Sequence, residues 1–153
     1  MSVGSLVASG IGILMLIITA YILVGGTLGT AELVVMAQGD LAVQQEIRMR
    51  TNIDISATSL DEVGKALYVE VANSGNEPIV NFEHMDVYLV TTGSPVYCSY
   101  GTDWSVVGIS PDSIHPGQLD PGEVLNLSVT YAADAPTWVQ VTTGNGVYDS
   151  AYI

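Results

Sequence analysis

Asp112, Asp120 and Glu123 share a stretch punctuated by Pro111, Pro116 and Pro121, and their oxygens are of the kind a calcium ion takes. Their spacing does not fit an EF-hand loop, so no metal site is assigned. His84 and His115 stand too far apart in sequence to form a helical zinc pair, and each reads as a turn or surface residue. Cys98 is the only cysteine, which rules out both a multi-cysteine metal site and an intrachain disulfide. There is no Gly-rich phosphate loop, no nucleophile elbow and no His-Glu helical motif. The expectation is a protein without catalytic residues or cofactor, and not an enzyme.

The remaining chemistry is recognition. Trp104 and Trp138 suit a core, while Tyr97, Tyr100 and Trp104 also share a predicted long loop with Gly and Ser, where adaptable contacts to a partner are placed. Asn126-Leu127-Ser128 is an acceptor pattern for N-glycosylation, and a strand there would put Asn126 on an outer face.

These residues need a scaffold. The chain has 153 residues, which suits one globular domain with a helical appendage. Lys and Arg number 3 against 16 Asp and Glu, a net charge of -13, so no basic patch for nucleic acid or anionic lipid can form. The acids are dispersed, as on a solvated face.

Residues 3–31 carry no charge, and 11–24 are nearly continuous hydrocarbon. About 20 apolar residues cross the ~30 Å hydrocarbon layer as a helix, so this segment is long enough to span it. The small residues Gly29-Thr30-Ala31 would also suit a signal-peptide cleavage site, but no basic residue precedes Arg48 and the apolar stretch exceeds an ordinary signal core. Basic flanks do not fix the orientation; the large acidic domain that follows is expected outside. Apolar positions from Leu33 to Ile47 are interleaved with polar ones, and Glu46 and Arg50 are four apart, so the helix is expected to continue to about Arg50. Ala8 with Gly12, and Gly25 with Gly29, recur at four-residue spacing that lets another helix approach closely; Gly25 and Gly26 could instead loosen the helix.

Beyond Arg50 the period changes to alternation, at Ile53, Ile55 and Ala57, at Leu67, Val69 and Val71, and at Val87 and Leu89. Further strands are expected within 104–109, 124–131, 137–143 and 147–153, with turns at Asn73-Ser74-Gly75-Asn76, Asp120-Pro121-Gly122 and Asn145-Gly146. The fold class is therefore a long N-terminal transmembrane α-helix over 1–50 followed by an all-β immunoglobulin-like sandwich over 51–153.

The opening Ser2-Val3-Gly4-Ser5-Leu6-Val7-Ala8, the run Leu67-Tyr68-Val69-Glu70-Val71 through Asn73-Ser74-Gly75-Asn76, and the stretch from Ser110-Pro111-Asp112 to Pro121-Gly122-Glu123 resemble the archaeal flagellin (archaellin) superfamily and its accessory proteins. Within it the sequence is most similar to the F-type archaellum stator proteins. That resemblance implies a component of the motility machinery anchored in the cytoplasmic membrane, with its sandwich in the pseudoperiplasmic space gripping a surface-layer protein among other archaellum accessory proteins. Filament-forming archaellins carry a basic residue and Gly just before the apolar helix; none stands here, which favours the stator over the alternative, an extracellular archaellin or pilin-like filament whose copies pack their helices in the core. A third possibility is a secreted ligand-binding sandwich released by cleavage after Ala31.

Overall fold

The computed structural model describes residues 3–132 and 134–153. Helix α1, Val3–Arg50, is one uninterrupted run of 48 residues, about 70 Å at 1.5 Å per residue. It passes through Gly25 and Gly26 without a break. Its most apolar 18-residue window has a mean hydropathy of 2.5, and no side chain along it is buried by the rest of the chain. Thr19, Thr27 and Thr30 donate their hydroxyls to backbone carbonyls three and four residues earlier, at 2.9–3.0 Å. The helix can therefore present these residues to an apolar medium without unsatisfied hydroxyls.

The chain divides into two compact units, one ending at Val43 and one spanning Gln44–Ile153, so the last turns of α1 belong with the β domain. That domain has eight strands among the described residues: β1 (Ile53–Asp61), β2 (Ala66–Asn73), β3 (Asp86–Val90), β4 (Val96–Cys98), β5 (Trp104–Ser110), β6 (Val124–Thr130), β7 (Trp138–Thr142) and β8 (Tyr148–Tyr152). They form two antiparallel sheets, ordered β1-β2-β6-β5 and β4-β3-β7-β8, each built from two hairpins. Alternation sets which face is inside: Leu67, Val69 and Val71 on β2, Leu125, Leu127 and Val129 on β6, Val87 and Leu89 on β3, and Val139 and Val141 on β7 are buried between the sheets. Along one seam, the Ile55 N–H donates to Asp149 Oδ2 at 2.7 Å, tying the bulge in β1 to β8 of the other sheet.

The β7–β8 hairpin turns at Asn145-Gly146 as its sequence indicates, with Gly146 at φ +81. Strand β4 was not expected, and it changes the reading of the predicted 97–104 loop. Tyr97 lies in β4, paired opposite Tyr88, and Trp104 opens β5 with only 2% of its surface exposed. A three-residue strand shows too little alternation to be read from sequence.

Leu127 is fully buried on a central strand, so Leu127→Ala is expected to lower the free energy of unfolding by about 2–5 kcal/mol. Chemical denaturation followed by far-UV circular dichroism would measure it.

Candidate functional site

The end of the sandwich that receives α1 is where side chains and backbone converge most densely. The helix closes on Thr51, whose N–H and hydroxyl both donate to the Ile47 carbonyl, at 3.0 and 2.8 Å. A helix end leaves its last carbonyls without partners, and here the turn after β2 supplies them. The Asn76 N–H donates to the Arg50 carbonyl at 2.7 Å, and the Ser74 and Gly75 N–H groups donate to the Asn52 carbonyl. Arg50 also lies 3.6 Å from Glu46 and 3.8 Å from Glu77, the first pair on the helix and the second on the domain. Around this joint, Ile47, Thr51, Glu77, His84 and Asn145 border a cleft of about 270 Å³.

Asn73, 1% exposed, extends the joint into the next loop. Its side-chain N–H groups donate to the Glu77 and Leu119 carbonyls, both at 2.9 Å, and its Oδ1 accepts from the Gly75 N–H. Ile79 and Leu119 exchange both backbone hydrogen bonds at 3.0 Å, locking the 74–81 segment to the 111–123 loop.

The three acids of that loop act on the backbone. Asp112 accepts from the Gly117 N–H, Asp120 from the His115 N–H and ring Nδ1, and Glu123 from the N–H groups of Ser113 and Asp120. Asp120 and Glu123 are each 3% exposed, and these bonds offset the desolvation of their carboxylates. Among the described residues no three acidic, His or Cys side chains are grouped to hold a metal ion. His84 is exposed in a short 3-10 turn, and the exposed His115 ring lies 3.2 Å from Asp120.

The predicted partner loop is taken apart by the fold. Trp104 is in the core, Tyr100 stands edge-on to it at 4.9 Å, and Tyr97 stacks obliquely against Tyr88 at 5.5 Å on the other sheet. Trp104 therefore cannot serve as an exposed contact: its position on β5 points it between the sheets. Asn126 lies on the outer face of β6, flanked in register by Glu70 and Gly108, next to a shallow depression of about 410 Å³. Ala8, Gly12, Gly25 and Gly29 are all exposed, with no neighbour within 4 Å of a Cβ built on the three glycines. At roughly 100° per residue, the 17 residues from Ala8 to Gly25 turn the second pair about 100° from the first, so the pairs occupy different faces. Sequence reasoning read Asn73 only as a turn residue, where it is a buried hub, put Trp138 in the core, where it takes an outward, half-buried position on β7, and missed the outward tyrosines of β3 and β8; period-two alternation could have revealed the aromatics.

Cys98 lies 5% exposed between the sheets; burial, and then the charge of Asp103, push its thiol up to about 11. The folded protein thus retains this proton where the unfolded chain, with a thiol near 9.0, releases it. The stability this confers is complete below the unfolded value and is lost as pH rises from there toward 11. Iodoacetamide labelling of the native chain at pH 8.5 is expected to run on the order of 100-fold slower than in denaturant, as read by intact mass over time.

Gly75 packs so closely that an added Cβ would lie 2.4 Å from the Asn52 nitrogen and 2.5 Å from the Arg50 carbonyl oxygen. Gly75→Ala should therefore cost about 1–3 kcal/mol and speed hydrogen exchange at Asn76, measured by denaturation and exchange mass spectrometry.

No protein-family model matches the sequence. An uncharacterized protein of Archaeoglobus fulgidus is 29% identical over 154 residues, covering 99% of this chain and 95% of its own. Among solved structures, the archaellum periplasmic stator protein FlaG from Sulfolobus acidocaldarius matches with TM-score 0.56 and 18% identity, over 67% of this chain and 99% of FlaG. The FlaF and FlaG complex from the same organism matches at 0.54 and 16%, over 66% of this chain and 87% of that one. The archaeal flagellum of Methanospirillum hungatei strain JF1 matches at 0.65 and 13%, over 95% of this chain and 90% of that one. The chain thus shares a fold with these structures over about two thirds of its length for the stator proteins, and over nearly all of it, long helix and two-sheet sandwich together, for the archaeal flagellum.

Proposed function

We propose that this chain is a structural component of the archaellum, anchored in the cytoplasmic membrane by the helix of residues 1–50. The sandwich of residues 51–153 works outside as a stator that holds a surface-layer protein. The observation that carries this reading is that the match to a solved periplasmic stator chain covers 99% of that chain, while this chain also has a long helix whose residues 3–31 carry no charge. The joint of Arg50, the 74–76 turn and Asn73 suits a part that must pass force from the helix to the sandwich without the helix end fraying. A stator needs no catalysis, and Asp112, Asp120 and Glu123 serve to order their own loop.

A filament subunit is the second reading, favoured by the flagellum match, which extends over 95% of this chain and so takes in the helix. In that arrangement the exposed apolar residues of α1 would be covered by copies of the same helix in place of lipid.

Fractionation of native cells into membranes and sheared surface filaments, with intact-mass analysis of the chain, distinguishes them. The stator reading expects the chain in membranes, depleted from filaments and retaining residues 1–31, and cross-linked to a surface-layer protein. Abundant recovery in filaments would overturn it for the subunit reading, and a soluble species beginning at Glu32 would overturn both.

A further inference from the structure

The two outer faces of the sandwich differ. Outward positions of β2 and β6 carry Tyr68, Glu70, Asn126 and Ser128, with Gly108 leaving a gap on β5. The outer face of the other sheet gathers five aromatic residues from four strands: Tyr97 on β4, Tyr88 on β3, Trp138 on β7, and Tyr148 and Tyr152 on β8. Register fixes their layout. Tyr97 is opposite Tyr88, Tyr88 opposite Gln140 and Gln140 opposite Ser150, while Trp138 is opposite Tyr152 and Thr142 opposite Tyr148. The result is a neutral centre of Gln140, Ser150 and Thr142 with aromatic rings around it.

Burial accounts only in part for these rings: Tyr88 and Trp138 are half-buried, and the other three are exposed. Tyr148 and Tyr152 are 63% and 86% exposed, and Tyr97 is 51% exposed. Charge is sparse on the face: of the 16 acids in the chain only Asp86, opposite Thr142, takes an outward position on these strands, and no Lys or Arg does. Desolvation, and then the charge of Asp86, hold the Tyr97 hydroxyl above its ordinary value, and its proton is engaged by the Asp86 carboxylate. Gln140 gives one amide N–H to the Thr142 hydroxyl at 3.1 Å, which leaves its carbonyl oxygen and second N–H to a ligand.

The dimensions select the occupant. Three outward residues on each of β3, β7 and β8 and one on β4, with strands about 4.8 Å apart and about 3.4 Å rise per residue, span at most roughly 14 by 14 Å, on the order of 200 Å². A stable protein interface needs about 800 Å² per partner. Aromatic rings at outward positions suit a sugar ring whose C–H bonds, polarised positive, lie on the negative face of a π system, while the central amide and hydroxyls meet the sugar's own hydroxyls. We infer that this face binds a neutral hexopyranose oligosaccharide, about three sugar units long, laid across the rings of Tyr88, Trp138, Tyr148 and Tyr152 with its hydroxyls on Gln140. The inference is independent of whether the chain is a stator or a filament subunit.

The test uses the full chain in lipid nanodiscs, because sugar-headed detergents would compete. Linear hexaoses of glucose, mannose and galactose are titrated against it, read by tryptophan fluorescence and by saturation-transfer NMR on the sugar. Saturable binding of at least one hexaose is expected, with Kd on the order of 1 mM as befits an open platform. Tyr152→Ala and Gln140→Ala, both at exposed or half-exposed positions, should each weaken binding about tenfold with unchanged thermal midpoint, and Tyr68→Ala on the opposite face should leave it unaltered. Failure of all three sugars to saturate by about 10 mM, or undiminished binding in Tyr152→Ala, would sink the proposal. So would a dimer in analytical ultracentrifugation that Tyr152→Ala dissociates while the sugars have no effect, since the face would then be a protein interface.

Discussion

The amide of Asn73 is the interaction on which the helix-bearing end of the domain depends. One side chain, shut off from water, engages the Glu77 and Leu119 carbonyls and the Gly75 N–H, and so holds the turn that caps the helix and the loop between β5 and β6 in one arrangement. A buried amide left without partners would be costly, so these bonds are made together or the loops part. The helix terminus is downstream of the same contacts, since Asn76 can reach the Arg50 carbonyl only while the turn keeps its shape.

The acidic composition is used in a related way. With 3 basic residues for 16 acids, few carboxylates can be neutralised by ion pairs, and Asp112, Asp120 and Glu123 take backbone N–H groups as partners. Charge-assisted bonds of this kind order a loop that carries three prolines and little apolar surface. No disulfide is possible with Cys98 alone, so the sandwich depends on the apolar layer between its sheets and on these polar ties at its end.

Helix α1 poses the opposite problem. Its hydrocarbon side chains have no cover within the chain, and hydrophobic surface of this extent has to leave water, in lipid or against other helices. The threonines satisfy their hydroxyls internally, and the Ala8/Gly12 and Gly25/Gly29 pairs open two separate faces to close approach. Both environments suit such a helix.

The amino-acid order determined the long helix, its end near Arg50, the strand alternation and the Asn145-Gly146 hairpin, because each is written in a local period or a local backbone preference. A single cysteine also left an intrachain disulfide without a partner. Only tertiary structure decided the rest. Whether Trp104 was a contact or core depended on β4, too short to show a period, and on the partner strands that place β5. The same acids could read as ion ligands until the fold brought the Gly117, His115 and Ser113 N–H groups to them. Aromatics from positions 88 to 152 became one surface only when pairing put β4, β3, β7 and β8 side by side, a consequence of contacts between residues far apart in the chain, which no local pattern encodes.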